Sequence, residues 1–150
     1  MSVETPRHSV SVAAAVVDDD GRVLAIRRAD NGHWEPPGGV LELSETIHDG
    51  LVREVHEETG LLIEPGPLTG VYKNMRRGIV ALVFRCTAVN GNPDVTPEAR
   101  EIRWLGAEDI VTHMDEAYAV RLLDALSPDG PRIRSHDGVA LLNALPSSAR

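Results

Sequence analysis

The sequence predicts a domain of the α/β class, in which a mixed β-sheet and helices share one core. Short runs rich in Val and Ala alternate with turn residues, and a segment after residue 44 has apolar residues at helical spacing. Strand and helix patterns then follow one another along the chain. A length of 150 residues, 42% of them hydrophobic, suits one domain over residues 1–150, although the tail from about 132 has no clear pattern.

The chain begins with two predicted strands. Residues 9–17 are rich in Val and Ala and predict a buried strand. Asp20 and Gly21 predict a hairpin turn, and residues 22–28 alternate as a returning strand. Residues 34–39 contain two prolines and two glycines, which exclude a helix there.

A helix over residues 45–59 is the clearest element. Ser44 is a suitable N-cap, and Gly60 fits the position just past the helix end. Apolar residues that lie four positions apart predict one buried face, formed by Ile47, Leu51 and Val55.

The second half of the chain contains both kinds of element. Strands are predicted over residues 61–71, 79–89 and 102–105. Helices are predicted over residues 107–114 and 116–126, and the Ser-Pro-Asp-Gly-Pro run that follows ends the second helix.

The charge balance narrows the classes of partner. Asp and Glu outnumber Lys and Arg by 23 to 15, and the formal net charge of −8 argues against binding of a nucleic acid polymer. A small anionic substrate stays compatible, because bound metal ions reverse the local sign of charge. The single cysteine, Cys86, lies in an apolar run and is interpreted as buried and inert. No apolar stretch approaches the length of a membrane span, so we expect a cytoplasmic protein.

Three glutamates are grouped on the predicted helix. Glu54, Glu57 and Glu58 occupy positions i, i+3 and i+4, so they share one side of the helix at the edge of its apolar face. Like charges at this spacing repel one another, and a divalent cation would relieve the repulsion. The alternative is a solvated acidic face in which Arg53 pairs with Glu57.

The sequence around these acids resembles the Nudix box. That pattern is Gly, five residues, Glu, seven residues, Arg-Glu, an aliphatic residue, any residue, Glu-Glu, any residue, Gly and an aliphatic residue. Every specified position is matched from Gly39 to Leu61 in the run GVLELSETIHDGLVREVHEETGL. Pro36 stands where an aliphatic residue usually precedes Pro-Gly-Gly. The resemblance implies the Nudix fold, a mixed β-sheet sandwiched between helices.

The resemblance also implies a site for Mg²⁺ or Mn²⁺. The implied ligands are the carboxylates of Glu54, Glu57 and Glu58 and the carbonyl of Gly39, and such oxygen ligands suit hard cations. The metal would lower the pKa of the attacking water and stabilise charge on phosphate oxygens.

Two further residues of the box have implied supporting roles. Arg53 would orient the glutamates through charge-assisted hydrogen bonds, and Glu45 would anchor Arg53. A box glutamate, or an acid later in the chain, would accept the proton of the attacking water. Nudix enzymes often place such an acid in the loop before a strand like 102–105, and Glu98 and Glu101 both precede it. Glu101 is closer and is expected to be better fixed; the alternative is that both are solvated loop acids.

A basic segment follows the box at residues 72–78. It has the sequence YKNMRRG and concentrates three cations in an acidic protein. Arg76 and Arg77 would bind phosphate, and Tyr72 would stack on a base. The alternative is an ordinary hairpin turn with Tyr72 in the core.

These features predict a divalent-metal-dependent hydrolase that splits a phosphoanhydride bond of a small nucleotide-like molecule by attack of water on phosphorus. A nucleotide sensor or scaffold of the same fold, without catalysis, is the alternative. Such proteins usually lose box glutamates, which are all present here. No subfamily tag names the substrate, and the sequence leaves open whether the chain forms a homodimer.

Overall fold

A computed structural model describes residues 4–142 of the chain, which form eight strands and three helices. The strands are β1 Ser9–Val16, β2 Val23–Arg28, β3 Trp34–Glu35, β4 Gly38–Val40, β5 Leu62–Asn74, β6 Ile79–Asn90, β7 Ala99–Leu105 and β8 Arg132–His136. The helices are α1 Ile47–Thr59, α2 Ala107–His113 and α3 Glu116–Leu126. Within the described residues, no helix is both long and apolar enough to cross a membrane.

The strands form two sheets. The larger sheet has the order β4-β1-β6-β5-β8, in which β1 runs parallel to β6 and β5 runs parallel to β8, while the other pairs are antiparallel. The smaller sheet is antiparallel and has the order β3-β2-β7. The mixed sheet confirms the predicted fold class.

The turn at Asp20 and Gly21 forms, but the predicted hairpin does not. Gly21 adopts a φ of 77°, and β1 and β2 share only one antiparallel bridge, between Val17 and Val23. The reason is that β1 pairs with β4 on one edge and with β6 on the other, which leaves no edge free for β2. The strand after the turn therefore enters the second sheet.

Alternate residues of β1 supply two separate apolar clusters, one on each face of the larger sheet. Ala13 and Ala15 pack in the cluster that contains α3, whereas Val12, Ala14 and Val16 pack in the cluster that contains α1. This alternation follows from the two-residue repeat of a strand. The sheet therefore lies between α1 on one side and α3 on the other.

Helix α1 begins later than predicted. Thr46, not Ser44, is its N-cap, and the Thr46 hydroxyl accepts a hydrogen bond from the third backbone N–H of the helix at 3.2 Å. The residues just before Thr46 form a turn instead, which frees the carboxylate of Glu45 for contacts described below. Ile47 is 42% exposed and is not part of the buried face, but Gly60 ends the helix with a φ of 77°, as predicted.

The tail without a sequence pattern extends the larger sheet. Strand β8 pairs with β5 from Arg132 to His136, and the chain then folds back so that the Leu142 N–H donates to the Ser135 carbonyl at 2.9 Å. The turn at residues 137–140 is held by Asp137, whose carboxylate accepts the backbone N–H groups of the third and fourth turn residues.

Candidate active site

Arg53 joins the loop before α1 to the acids on that helix. Its Nε and Nη2 donate to the two carboxylate oxygens of Glu45 at 2.9 and 2.6 Å. Its Nη1 donates to Glu54 at 2.9 Å and to Glu57 at 3.3 Å. The guanidinium holds the pKa of Glu45 at about 2. The structure thus brings four of the predicted site residues together, and the Arg53–Glu57 pair is only the longest of these contacts.

Glu58 is a buried carboxyl group at the end of α1. The residue is 4% exposed, and its Oε1 accepts the Gly38 backbone N–H at 2.7 Å. Burial, followed by the nearby charges of Glu54 and Glu98, raises the pKa of Glu58 to about 8. The ionised form therefore requires compensating positive charge.

Glu54 lies against the backbone of β4. A Cβ built on Gly39 would overlap the Glu54 carboxylate, lying 2.7 Å from Oε1. Burial raises the pKa of Glu54, and Arg53 opposes this shift. Only glycine at position 39 allows the carboxylate to approach so closely, which gives a physical reason for this residue type in the box.

The donor set suits a hard divalent cation, although the side chains do not converge as ligands. Within residues 4–142, no three His, Cys, Asp or Glu side chains meet closely enough to hold a metal ion. Glu54 and Glu57 contact Arg53 instead. The carboxylates of Glu54 and Glu58 are nevertheless mostly buried and mutually repulsive, and all the donors are oxygens. Divalent cations such as Mg²⁺ match both properties.

The placement of Glu101 argues against its predicted role. It lies within β7, not in a loop, and sits directly across from Arg27 in the pairing of β7 with β2. Its carboxylate accepts from Arg27 at 3.0 Å and from Arg103 at 3.2 Å, which lowers its pKa. Glu98, in contrast, acts on the charges of Glu54 and Glu58. Of the two later acids, Glu98 is the one whose charge raises the pKa of Glu54 and Glu58.

Tyr72 is a core residue, so the prediction that it stacks on a base is wrong. It is fully buried, and its hydroxyl donates to Asp124 Oδ2 at 2.7 Å. The same carboxylate accepts two hydrogen bonds from Arg134, each at 2.8 Å. The alternation of β5 points the Tyr72 ring toward α3, where Asp124 satisfies the hydroxyl. This network ties β5, α3 and β8 together.

Arg76 and Arg77 lie in the exposed turn after β5. The Asn74 Oδ1 accepts the backbone N–H groups of both residues, at 3.0 and 3.2 Å, and so fixes the turn. Both arginines line a cleft of about 750 Å³ that also includes Gly38 and Gly39. The structure therefore connects this turn with the box through one cavity.

Several residues that line this cleft were not predicted from the sequence. Tyr118 and Arg121 of α3, Glu35 of β3, and Gly138 in the turn after β8 also line it. The sequence did contain one sign that Arg121 is unusual. It lies between Ala117 and Ala125 at i, i+4 spacing on the buried side of α3, where a charged residue is rare. A charge in such a row is either paired or functional.

Comparison with known proteins places the chain in a family. The NUDIX domain model matches residues 7–126. A MutT-like protein of Streptomyces ambofaciens is 58% identical over 139 residues, which cover 93% of this chain and 90% of that protein. The nucleoside triphosphatase NudI of Escherichia coli (strain SE11) is 30% identical over 129 residues, covering 74% and 91% of the two chains.

A solved structure gives the same result for the fold. The Nudix hydrolase from Nitrosomonas europaea superposes with a TM-score of 0.78 at 22% sequence identity, over 90% of this chain and 83% of that one. Together with the intact box, the matches to the domain model and to the relatives show that the chain belongs to the Nudix hydrolase family.

Proposed function

We propose that the chain is a divalent-metal-dependent hydrolase that splits a phosphoanhydride bond of a small nucleotide-like molecule. The environment of Glu58 carries this proposal. Its carboxylate is buried beside that of Glu54, and within the described residues it forms no ion pair. A protein keeps such a costly pair of acids where a bound cation offsets the charge.

Some box residues would bind the metal, and Arg53 orients those residues. Glu54, Glu57 and Glu58, with the carbonyl of Gly39, would bind Mg²⁺ or Mn²⁺, which as a Lewis acid lowers the pKa of bound water and offsets charge on phosphate oxygens. Arg53 fixes the directions of Glu54 and Glu57.

Two further groups would complete the reaction, an acid after the box and two arginines that line the cleft. Glu98, whose charge reaches the box acids, accepts the proton of the attacking water. Arg76 and Arg77 line the same cleft and bind phosphate oxygens. The relative NudI is named a nucleoside triphosphatase, which supports a substrate of the nucleotide class.

A non-catalytic sensor has less support. Loss of catalysis would remove the requirement for clustered acids, yet Glu54, Glu57 and Glu58 are all present and Arg53 still holds the first two. No feature of the described site favours a sensor over an enzyme.

The deciding experiment is a turnover screen with Mg²⁺ or Mn²⁺. The panel comprises nucleoside triphosphates, oxidised deoxynucleoside triphosphates, ADP-ribose, nucleotide sugars and dinucleoside polyphosphates. We expect cleavage of at least one compound, its loss in EDTA and its return on addition of metal. Full activity in EDTA would overturn the metal requirement. Saturable binding of a nucleotide without turnover of any compound would favour the sensor instead.

A further inference from the structure

Arg121 is a buried cation that pairs with no carboxylate among residues 4–142. It lies on α3, is 8% exposed and lines the cleft. Within residues 4–142 it forms no salt bridge, and its buried Nε has no hydrogen-bond partner. Its Nη2 lies 3.2 Å from His136 Nε2. A guanidinium carries five N–H donors, so most of its hydrogen-bonding capacity is unused.

His136 does not compensate for this charge. Its Nδ1 lies 3.0 Å from the Gly138 backbone N–H, and its Nε2 lies 3.2 Å from Arg121 Nη2. A neutral imidazole has one acceptor nitrogen, so it accepts at most one of these two donors. Burial, followed by the charge of Arg121, lowers the pKa of His136, so the ring stays neutral. The ring therefore brings no negative charge to Arg121 and at most one acceptor.

Aromatic rings supply part of the compensation. The guanidinium carbon of Arg121 lies 4.7 Å from the ring centre of Tyr118 and 5.4 Å from that of Tyr72. Such contacts favour a cation but leave the in-plane N–H groups free. Glu35 is the carboxylate whose charge acts on Arg121, and it is 3.7 Å from Arg28, which also pairs with Asp30. Arg121 therefore lines the cleft with guanidinium donors that no carboxylate within residues 4–142 occupies.

Two more guanidinium groups line the same cleft. Arg76 and Arg77 are exposed, line the cleft and form no ion pair in the described part of the chain. The turn that holds them follows β5, which lies three strands away from the β4 strand of the box. At the usual strand spacing this is a lateral separation of about 14 Å. A single phosphate group held at the box does not span that distance.

We propose that Arg121, together with Arg76 and Arg77, forms a second oxyanion site, which takes a phosphate or carboxylate group on the part of the substrate that is not hydrolysed. A planar guanidinium with free in-plane donors matches an oxyanion geometrically. His136, which contacts Arg121, and Gly138, which lines the cleft, lie beyond residue 126, where the match to the domain model ends. The inference rests on the proposed function only for the identity of the molecule that brings the oxyanion.

The test measures anion binding without metal and without turnover. The full chain in EDTA is titrated with inorganic phosphate and, separately, with acetate, and binding is followed by the NMR shifts of backbone amides. We expect saturable shifts at residues 74–78 and at Gly138. Arg121→Met should weaken binding about tenfold, the scale of a lost charge-assisted contact. Preference for phosphate or for acetate identifies which oxyanion the site takes.

Arg22→Met is the matched control. It removes the same charge from an exposed turn, where Arg22 pairs with Asp18 and Asp20, and should leave binding unchanged. Equal losses in both variants would show a general charge effect and overturn the site. The absence of saturable binding to the wild-type chain would overturn it as well. Because the measurement needs no metal, failure of the hydrolase proposal would not alter its result.

Thermal stability separates a binding role from a structural one. Since Arg121 is buried and forms no salt bridge within residues 4–142, Arg121→Met should melt at or above the wild-type temperature. A lower melting temperature with unchanged phosphate binding would assign Arg121 a structural role and overturn the proposal. If the Met variant is less stable and also binds phosphate poorly, Arg121→Lys distinguishes the two roles. Lysine keeps the positive charge but lacks the planar guanidinium that binds an oxyanion through two N–H groups. Weaker phosphate binding by a folded Lys variant supports the site, and unchanged binding overturns it.

Discussion

The carboxylate of Glu54 occupies the space in which a side chain on Gly39 would begin. The two residues meet where β4 passes the middle of α1, so the position of one acid of the site depends on the absence of a single methyl group. This contact links the glycine pair before the helix to the chemistry on the helix.

Gly39→Ala should therefore displace Glu54 and lower kcat. A displacement of this kind can reduce the rate about 100-fold, because catalytic groups tolerate little misplacement. The measurement is steady-state turnover of a substrate from the screen, with circular dichroism to check the fold. Gly130→Ala is the control, since a Cβ at that position meets no atom within 4 Å. Wild-type turnover in the Gly39→Ala variant would show that the Gly39–Glu54 contact does not matter for catalysis.

Glu57→Gln should keep the fold and lose at least about 100-fold in turnover, the scale on which single electrostatic groups act. Glu57 is 49% exposed, so the amide replacement disturbs little packing while removing a charge for the metal. Glu64→Gln, on the exposed face of β5, serves as the control and should be active. A loss smaller than about tenfold would count against Glu57 as a metal ligand.

Glu98→Gln should reduce the rate more than Glu101→Gln, the reverse of the order that the sequence suggested. The charge of Glu98 raises the pKa of Glu54 and Glu58. The carboxylate of Glu101 is instead paired with Arg27 and Arg103. General base catalysis contributes about 100-fold or more, so the loss in the Glu98 variant should be of that order. Rate constants for both variants at saturating metal decide the order, and a larger loss in the Glu101 variant would contradict it.

Tyr72→Phe should lower the free energy of unfolding without changing KM. The substitution removes the hydrogen bond to Asp124 from a fully buried site, and a loss of about 1–2 kcal/mol is expected. Urea unfolding measures the stability, and substrate titration measures KM. A raised KM at unchanged stability would instead indicate that Tyr72 contacts the substrate, which its position in the core contradicts.

Local chemistry made parts of this structure predictable. Helix α3 covers the predicted residues 116–126, because its apolar spacing and the breakers after it leave little choice. The residues of the box were recognised because their types and spacing are constrained by one another. The start of α1 was predicted wrongly, because Thr46 rather than Ser44 caps the helix and Glu45 instead contacts Arg53.

The rest depended on contacts between distant parts of the chain. The face of β5 that carries Tyr72 is decided by Asp124, 52 residues away, and no local pattern reveals it. The position of Glu101 follows from its register with Arg27 across β2 and β7. The surroundings of Arg121 depend partly on other elements, because Tyr72 lies on β5 and His136 on β8, whereas Tyr118 lies on the same helix.

The parallel pairing of β8 with β5 has a consequence for where this protein can be cut. A chain shortened at residue 126 would retain every residue that matches the NUDIX domain model. It would also uncover the backbone of Gly70 to Asn74, the stretch that β8 now pairs. Bare strand edges of this kind recruit strands from other molecules, so the shortened chain should self-associate and precipitate on expression. The segment after α3 thus covers the edge of β5 and prevents aggregation there, and it also lines part of the cleft.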